Sequence, residues 1–214
     1  MTPGGVEAEL KYAASDERPL IKLDEAVALG SAALGPPRMT REHDRYLDTA
    51  DLRLSAARWA CRLRERDGRT IISLKGPPQH EAGDRLHRRE ELEGPGGLGL
   101  DPLAWPPSPA RDRLLSLTGG AELVERLRLD QDRTERTVSV GELPIGLLSL
   151  DRVRVFHRDA EAGRLYVVEL ELEPAALAVG FDHRPLADAL TGVPGLSPDP
   201  LNKLERALRL LRVP

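Results

Sequence analysis

Residues 6–12 read Val-Glu-Ala-Glu-Leu-Lys-Tyr, a strict alternation of apolar and charged side chains. Successive side chains of a β-strand point to opposite faces of the sheet, so the alternation predicts a strand with Glu7, Glu9 and Lys11 on one face. Charged side chains are almost always exposed unless they are paired. The charged face of this strand is therefore either solvated or part of a binding site.

The same period-two pattern of charge returns along the chain. Further sets at this spacing are Arg62, Arg64 and Arg66; Arg89, Glu91 and Glu93; and Glu169, Glu171 and Glu173, while Lys75 shares a face with Ser73. On a half-exposed sheet these side chains would point into water outside the fold. If the sheet closes on itself, acidic and basic residues from several strands line one cavity.

A cavity with both charge signs on its wall has a specific chemistry. Carboxylates that are gathered together repel each other unless a cation lies between them, and Mg²⁺ takes oxygen ligands from carboxylates, water and phosphate. Arginine and lysine bind phosphate oxygens, arginine in a bidentate manner. The combined pattern therefore predicts a site for a metal ion together with a polyphosphate.

The remaining sequence supplies more strands and a few helices. Strands are predicted at 42–48, 58–66, 69–75, 85–93, 128–140, 146–157 and 164–173, and an Asp67-Gly68 turn joins two of them. Helices are predicted at 22–34, 109–117, 119–127, 184–191 and 199–212. Strands joined mainly by turns favour an antiparallel sheet that closes into a barrel, with helices packed outside it. We expect an α+β fold, and 214 residues are enough for one ordinary domain or two small ones.

Composition excludes several classes of protein. The chain has 214 residues with a formal net charge of -4 and 3% aromatic residues, which argues against a broad nucleic-acid surface. No apolar run approaches ~18 residues, so no transmembrane helix is predicted. One cysteine, Cys61, excludes an internal disulfide framework and a cysteine-based zinc site. With no signal peptide visible, we expect a cytoplasmic protein.

Taken in order, the charged elements resemble the CYTH domain, also called the triphosphate tunnel metalloenzyme family. The elements that carry the resemblance are Glu7-x-Glu9-x-Lys11, Tyr46-Leu47-Asp48-Thr49, Arg62-Leu63-Arg64, Ser73-Leu74-Lys75-Gly76, Arg89-x-Glu91-x-Glu93, Arg133 to Val138, Asp151-x-Val153, Glu169-x-Glu171 and Lys203. They span residues 6 to about 211, nearly the whole chain, so the resemblance implies a single domain over residues 1–214. The departures are Leu47, where phenylalanine is usual, and Asn202, where serine is usual.

The resemblance implies an eight-stranded antiparallel β-barrel, or tunnel, with flanking helices that include a C-terminal helix. It also implies a triphosphate bound together with Mg²⁺ or Mn²⁺. The expected metal ligands are Glu7, Glu9, Asp151, Glu169 and Glu171. The expected phosphate contacts are Lys11, Arg62, Arg64, Lys75, Arg89 and Arg136. The expected catalytic residues are Glu91 and Glu93, which would position the attacking water or a second metal ion, and Lys203, which would reach the tunnel from the last helix.

Four assignments depend on where a strand points or ends. Arg133 and Arg136 are three residues apart, so a regular strand cannot direct both of them inward, and we favour Arg136. Arg66 and Glu173 continue their alternations, but we expect them to lie beyond the rim of the tunnel. Asp48 is equally compatible with substrate binding and with capping a turn.

The resemblance predicts an enzyme that hydrolyses a triphosphate, with inorganic triphosphate as the first choice. One alternative is a class IV-type adenylyl cyclase, which would also have to hold adenine. The other is a non-catalytic module that binds triphosphate or polyphosphate. The expected partner is a triphosphate-containing small molecule, with no membrane and no nucleic acid.

Overall fold

The structure is a computed structural model, and it describes residues 5–79, 85–97 and 99–211. Its strands are β1 (Gly5–Ala14), β2 (Ala28–Leu29), β3 (Ala32–Leu34), β4 (Arg38–Thr49), β5 (Ala60–Arg66), β6 (Arg69–Lys75), β7 (His87–Pro95), β8 (Leu123–Val140), β9 (Leu143–His157), β10 (Ala160–Leu172) and β11 (Leu196–Pro198). Its helices are α1 (Arg18–Glu25), α2 (Arg53–Ala56), α3 (Pro109–Thr118), α4 (Pro174–Ala178), α5 (Arg184–Thr191) and α6 (Lys203–Leu211).

Eight of the described strands close into a barrel. They follow the order β8-β4-β5-β6-β7-β1-β10-β9, and β9 pairs back with β8. Each neighbouring pair is antiparallel. The predicted eight-stranded antiparallel barrel is therefore confirmed. Outside the closed ring, β2 and β3 extend the sheet from β8, and β11 pairs with β1.

The register of the strands gathers the charged residues. Glu9 lies opposite Glu171 in the β1–β10 pair, and Lys75 lies opposite Glu91 in the β6–β7 pair. Residues that are directly opposite in a sheet point to the same face. Charges that are far apart in the sequence therefore meet on the inner face of the barrel.

The inner face changes character along its length, from apolar at one end to charged at the other. At the apolar end, helix α6 packs through Ala207 on a cluster of inward-facing residues. That cluster is Tyr46, Leu127, Leu129, Val153, Val155, Leu165 and Val167. On β8 the step from Leu129 to Arg133 keeps the same face but passes from this cluster to the charged half. Helix α6 thus fills one end of the barrel and places its first residue, Lys203, against the charged part.

The outer faces of the barrel carry two further apolar cores. One packs α1 and α5 on β1, β9 and β10, and the other packs α2 and α3 on β5 and β6. Cys61 is buried in the second core. Among the described residues, no helix combines the length and the apolar character needed to span a bilayer.

Two predicted helices are wrong, and glycines explain both. The helix predicted at 22–34 is replaced by α1, which ends at Glu25, and by the β2–β3 hairpin, where Gly30 has φ +60° in the turn. The helix predicted at 119–127 is replaced by a turn at Gly119 (φ +63°) and Gly120 (φ +75°), after which β8 begins. A left-handed backbone ends a helix, and glycine adopts it at little cost.

Candidate functional site

The charged half of the barrel encloses a cavity of about 260 Å³, called here the chamber. Its charged lining residues are Glu7, Glu9, Arg62, Arg64, Arg66, Lys75, Arg89, Glu91, Glu93, Arg133, Glu135, Glu169, Glu171 and Lys203. Its other lining residues are Tyr46, Ala60, Ser73, Leu147, Ser149 and Asn202. Most of the predicted site residues are therefore inside the barrel, and they are not solvated on its outer surface.

Three adjacent strands form the acidic wall of the chamber. Strands β7, β1 and β10 contribute its glutamates, which are Glu7, Glu9, Glu91, Glu93, Glu169 and Glu171. Lys75 Nζ lies 2.5 Å from Glu7 Oε1, and Arg89 donates to Glu7 Oε2 at 2.8 Å and to Glu9 Oε1 at 2.8 Å. Lys75 Nζ also lies 3.3 Å from Glu91 Oε1, so these two cations are shared among three carboxylates of the wall.

The two glutamates of β1 titrate in opposite directions. Burial would raise the pKa of Glu7, but Lys75 and Arg89 lower it to about 2. The pKa of Glu9 is raised, first by burial and then by the charges of Glu7 and Glu169. Glu9 is therefore a buried carboxylate beside two others, although it also contacts Arg89.

Two other carboxylates of the acidic wall have no ion pair or hydrogen bond with any described residue, namely Glu93 and Glu171. The surrounding protein reduces the solvation of Glu171, and together with Glu7 it raises the pKa of this residue to about 7. Burial and the charge of Glu91 raise the pKa of Glu93. Both carboxylates would be stabilised by a cation from outside the chain.

Lys203 joins the chamber to a buried carboxylate behind it. Its Nζ lies 2.8 Å from Asp151 Oδ2 and donates to Glu169. Arg133 Nε donates to Asp151 Oδ1 at 2.7 Å. Asp151 is fully buried, both of its oxygens are bound, and it does not line the chamber. The structure therefore places Asp151 as a support for Lys203 and Arg133, and this placement does not favour its predicted role as a metal ligand.

The arginine wall lies on β5 and consists of Arg62, Arg64 and Arg66, with Glu42 and Asp44 of β4 behind them. Arg64 donates through Nε and Nη2 to the two oxygens of Asp44, both at 2.7 Å. Arg66 donates to Glu42 at 3.1 Å and, through Nη2, to Glu135 at 2.7 Å. Arg66 therefore belongs to the chamber wall, and the prediction that it lies beyond the rim is wrong.

Arg62 differs from its two neighbours on the strand. Its nearest carboxylate oxygen is Asp44 Oδ2, 3.6 Å from Nη1, and its buried Nε has no hydrogen-bond partner among the described residues. Burial would lower the pKa of Arg62, but Asp44 keeps it above the usual value. The guanidinium is therefore charged and has N–H groups available for an anion.

Arg133, and not Arg136, faces the interior, so the predicted inward orientation of Arg136 is wrong. The pairing of β8 with β9 is regular from Arg128 to Val138, with Arg133 opposite Asp151, and no bulge reverses the faces between the two arginines. Arg136 points outward and donates to the carbonyl oxygens of Leu23, Asp24, Ala26, Leu34 and Gly35. It ties the segment after α1 to the outside of the barrel and cannot contact a ligand in the chamber.

Lys11 also departs from its predicted place. It faces Glu169 across the β1–β10 pair, but its Nζ is 3.8 Å from Glu9 Oε1, and it lines a second cavity beside Tyr12 and Pro198. Burial lowers the pKa of Lys11, and Glu9 offsets this only in part. Lys11 is therefore next to the chamber and does not form part of its lining.

Two remaining assignments are resolved by local hydrogen bonds. Asp48 accepts hydrogen bonds from the backbone N–H groups of Thr49, Leu54 and Ser55, so it caps the turn before and within α2. Glu173 is exposed at the N-terminus of α4, outside the chamber, as predicted.

The sequence reasoning missed Glu42, Asp44 and Glu135. Glu42, Asp44 and Tyr46 alternate at the same period-two spacing as the sets that were recognised, within a segment that was already predicted to be a strand. Glu135 is two residues after Arg133, so it was lost when Arg136 was favoured. The spacing of these residues would have been a sufficient signal.

The donor set of the acidic wall fits a hard divalent cation, because it consists of carboxylate oxygens with unbalanced negative charge. Among the described residues, however, no three aspartate, glutamate, histidine or cysteine side chains are grouped closely enough to hold a metal ion as they stand. Lys75 and Arg89 bind the two oxygens of Glu7, Arg89 binds Oε1 of Glu9, and Lys203 binds Oε2 of Glu169. Carboxylates suited to bind a metal ion are therefore present, but in this structure several of them are paired with lysine and arginine side chains of the same chain.

The comparisons with known proteins agree with this architecture. A solved structure from Hippeastrum, named as a candidate adenylyl cyclase with a dominant triphosphatase activity, shares the fold with a TM-score of 0.64 and 19% identity over 95% of each chain. A candidate adenylate cyclase from Bacillus halodurans has a TM-score of 0.61 and 21% identity, covering 94% of this chain and 98% of that one. A protein from Pyrococcus horikoshii OT3 has a TM-score of 0.55 and 20% identity, covering 95% of this chain and 98% of that one. No curated protein matches the chain in sequence. The family model of the CYTH domain matches residues 6–179. With the closed eight-stranded barrel, this match shows that the chain belongs to the CYTH domain family.

Proposed function

We propose that the protein hydrolyses a triphosphate in the chamber, with inorganic triphosphate as the substrate and Mg²⁺ or Mn²⁺ as the cofactor. The observation that carries the proposal is a contrast within the described residues: Arg62 lines the chamber without a hydrogen bond to any of them, and Glu93 and Glu171 line it without an ion pair to any of them. A site for an anion alone would not need the free carboxylates, and a site for a metal alone would not need the free guanidinium. A metal–triphosphate complex uses both.

In this proposal, the cations of the chamber bind the phosphate groups and the acidic wall binds the metal ion. Arg62, Arg64, Lys75 and Arg89 are suited to contact phosphate oxygens, since all four line the chamber. The metal ion would be held by the acidic wall, through Glu7, Glu9, Glu169 and Glu171. When bound, the metal ion supplies neutralisation of phosphate charge and polarisation of a phosphoryl oxygen.

Hydrolysis requires water to attack the terminal phosphorus atom. A new P–O bond forms to the water oxygen, the bridging P–O bond breaks, and the products are phosphate and diphosphate. Glu91 and Glu93 lie in the chamber wall, where they can orient the water, and Glu93, which has no ion pair with a described residue, can accept its proton. Lys203 and Arg133 can offset the charge that develops on the leaving oxygen.

The lining of the chamber favours inorganic triphosphate over a nucleotide. Tyr46, Ala60 and Leu147 are the apolar residues among its described lining, and they do not form an aromatic platform for a base. The Hippeastrum neighbour, although named as a candidate cyclase, is described with a dominant triphosphatase activity. This supports hydrolysis as the first activity to test.

The test is a phosphate-release assay over inorganic triphosphate, thiamine triphosphate, ATP and long-chain polyphosphate, each with Mg²⁺ and with Mn²⁺. We expect the highest kcat/KM with inorganic triphosphate and no release after chelation of the metal. Cyclic AMP as the only product from ATP would support a cyclase and contradict the proposal. Calorimetric binding of triphosphate without hydrolysis of any substrate would support the binding module.

A further inference from the structure

Asp44 is a buried carboxylate that stands directly behind the arginine wall. It lies opposite Arg64 in the β4–β5 pair, it is fully buried, and it does not line the chamber. Arg64 donates to both of its oxygens at 2.7 Å, and Gln131 Nε2 donates to Oδ2 at 2.6 Å. Asp44 therefore cannot touch a substrate, and any effect it has on binding must pass through the arginines.

The contacts of Asp44 fix Arg64 in one orientation. Nε and Nη2 of Arg64 face Asp44, and Nη2 also lies 2.8 Å from Glu42 Oε2. A bidentate pair of this kind sets the plane of the guanidinium as well as its position. The orientation of the third nitrogen of Arg64, Nη1, follows from this pairing.

The contact of Asp44 with Arg62 is longer than its contact with Arg64. The 3.6 Å separation between Arg62 Nη1 and Asp44 Oδ2 allows attraction between the charges without a hydrogen bond. Arg62 Nε is buried and has no acceptor among the described residues. Nη1 and Nη2 of Arg62 also make no hydrogen bond to a described residue, and Arg62 lines the chamber, so these two groups are the donors that a phosphate oxygen can use.

We infer that Asp44 is a positioning residue for the phosphate groups of the substrate. The hydrogen bonds that Asp44 accepts from Arg64 and Gln131 occupy its oxygens, so its charge holds Arg62 in the wall while the Nη groups of Arg62 stay available. This inference rests on the proposed binding of a triphosphate in the chamber. It extends the site to a second layer of residues on β4, behind those that meet the ligand.

The test compares Asp44→Asn with Asp48→Asn. Both aspartates are buried on β4 and accept several hydrogen bonds, but Asp48 bonds to backbone N–H groups and a serine and contacts no arginine of the wall. Both variants are expected to lower the melting temperature. For Asp44→Asn we expect KM for triphosphate, and the dissociation constant measured by calorimetry, to rise on the order of tenfold with kcat within about twofold of the wild type. For Asp48→Asn we expect both constants to be unchanged.

A second variant keeps the charge of Asp44 and changes only its hydrogen bonding. Gln131→Leu removes the donor to Oδ2, so that oxygen becomes free to accept from Arg62. We expect KM and the dissociation constant to rise about threefold, because N–H groups of Arg62 are then occupied. If Asp44→Asn does not fold, the dissociation constant of Gln131→Leu tests the role of Asp44, and an unchanged value overturns the inference.

A double-variant cycle shows whether the effect passes through Arg62. Asp44→Asn added to Arg62→Met should raise the dissociation constant by less than it does in the wild type, because the group that Asp44 positions is gone. Full additivity overturns the inference, as does an unchanged dissociation constant in a folded Asp44→Asn.

Binding and hydrolysis measured on the wild type distinguish a failure of this inference from a failure of the proposed function. If the wild type binds triphosphate but hydrolyses none, the proposed function fails, while the dissociation constants of the variants still decide the role of Asp44. If the wild type binds no triphosphate, the inference is overturned together with the proposed function.

Discussion

The acidic wall and the arginine wall of the chamber differ in how their charges are balanced. In the arginine wall, Arg64 and Arg66 are hydrogen-bonded to carboxylates of the same chain that lie behind them or beside them. In the acidic wall, Glu93 and Glu171 have no ion pair with a described residue, and burial together with the charges of Glu7 and Glu169 raises the pKa of Glu9. The arginine wall is therefore organised before a ligand arrives, whereas the acidic wall lacks positive charge that an external cation can supply.

The largest expected effect is on the acidic wall. Glu171→Gln removes a carboxylate that has no internal partner, so we expect hydrolysis of triphosphate to fall on the order of a hundredfold, with no loss of melting temperature. The measurements are phosphate release and calorimetric titration with Mn²⁺. The matched control is Glu173→Gln, two residues further along and outside the chamber, which should leave both unchanged. Full Mn²⁺ affinity in Glu171→Gln would contradict the role assigned to this wall.

The pairing of acidic and basic residues predicts that a metal ion and triphosphate bind with positive cooperativity. Lys75 and Arg89 now bind Glu7 and Glu9, so a metal ion on these carboxylates frees the cations for phosphate. We expect triphosphate to raise the affinity for Mn²⁺ by on the order of tenfold, and Mn²⁺ to raise the affinity for triphosphate by the same factor after correction for the complex in solution. Calorimetry in both orders of addition measures the two factors. Independent binding would show that the ion pairs do not have to open.

Substitution of Arg62, which lines the chamber, and of Arg136, which lies outside the barrel, should have different effects. Arg62→Met should raise KM about tenfold with little change in melting temperature, because Arg62 lines the chamber and makes no hydrogen bond to a described residue. Arg136→Met should lower the free energy of unfolding by about 3 kcal/mol and leave KM unchanged, because Arg136 binds only backbone carbonyls outside the barrel. Kinetics and thermal denaturation separate the two, and a rise in KM for Arg136→Met would contradict this division.

The smallest expected effect concerns acid stability. Burial would raise the pKa of Asp44, but Arg64 and Arg62 hold it well below its usual value of 3.8. The stability from this group is therefore fully present above about pH 4 and is lost as the pH falls through the pKa of the folded state. In Asp44→Asn, the free energy of unfolding should fall less steeply below pH 4, by at most about 1.4 kcal/mol per pH unit, with no difference in slope between pH 6 and 8. Urea unfolding at several pH values measures the slopes, and equal slopes in acid would show that Asp44 is not paired as described.

The alternation of side chains predicted much of this architecture. It assigned Glu7 and Glu9, Arg62 and Arg64, and Glu169 and Glu171 to common faces, because period two is a property of the extended backbone itself. The same rule places Arg133 and Arg136 on opposite faces of β8, but it does not say which of them points inward. The contacts of Arg136 with carbonyl oxygens outside the barrel decided that question.

The sequence by itself determined which side chains share a face of each strand and which classes of protein are excluded. The tertiary structure decided which charge meets which. Arg64 pairs with Asp44 because β4 and β5 align these residues, and Lys203 reaches Asp151 because α6 packs into the apolar end of the barrel. Strand register and helix docking depend on contacts between distant segments, and no local pattern contains them. The same limit applies to Gly30, whose turn replaced a predicted helix by a hairpin that pairs with β8.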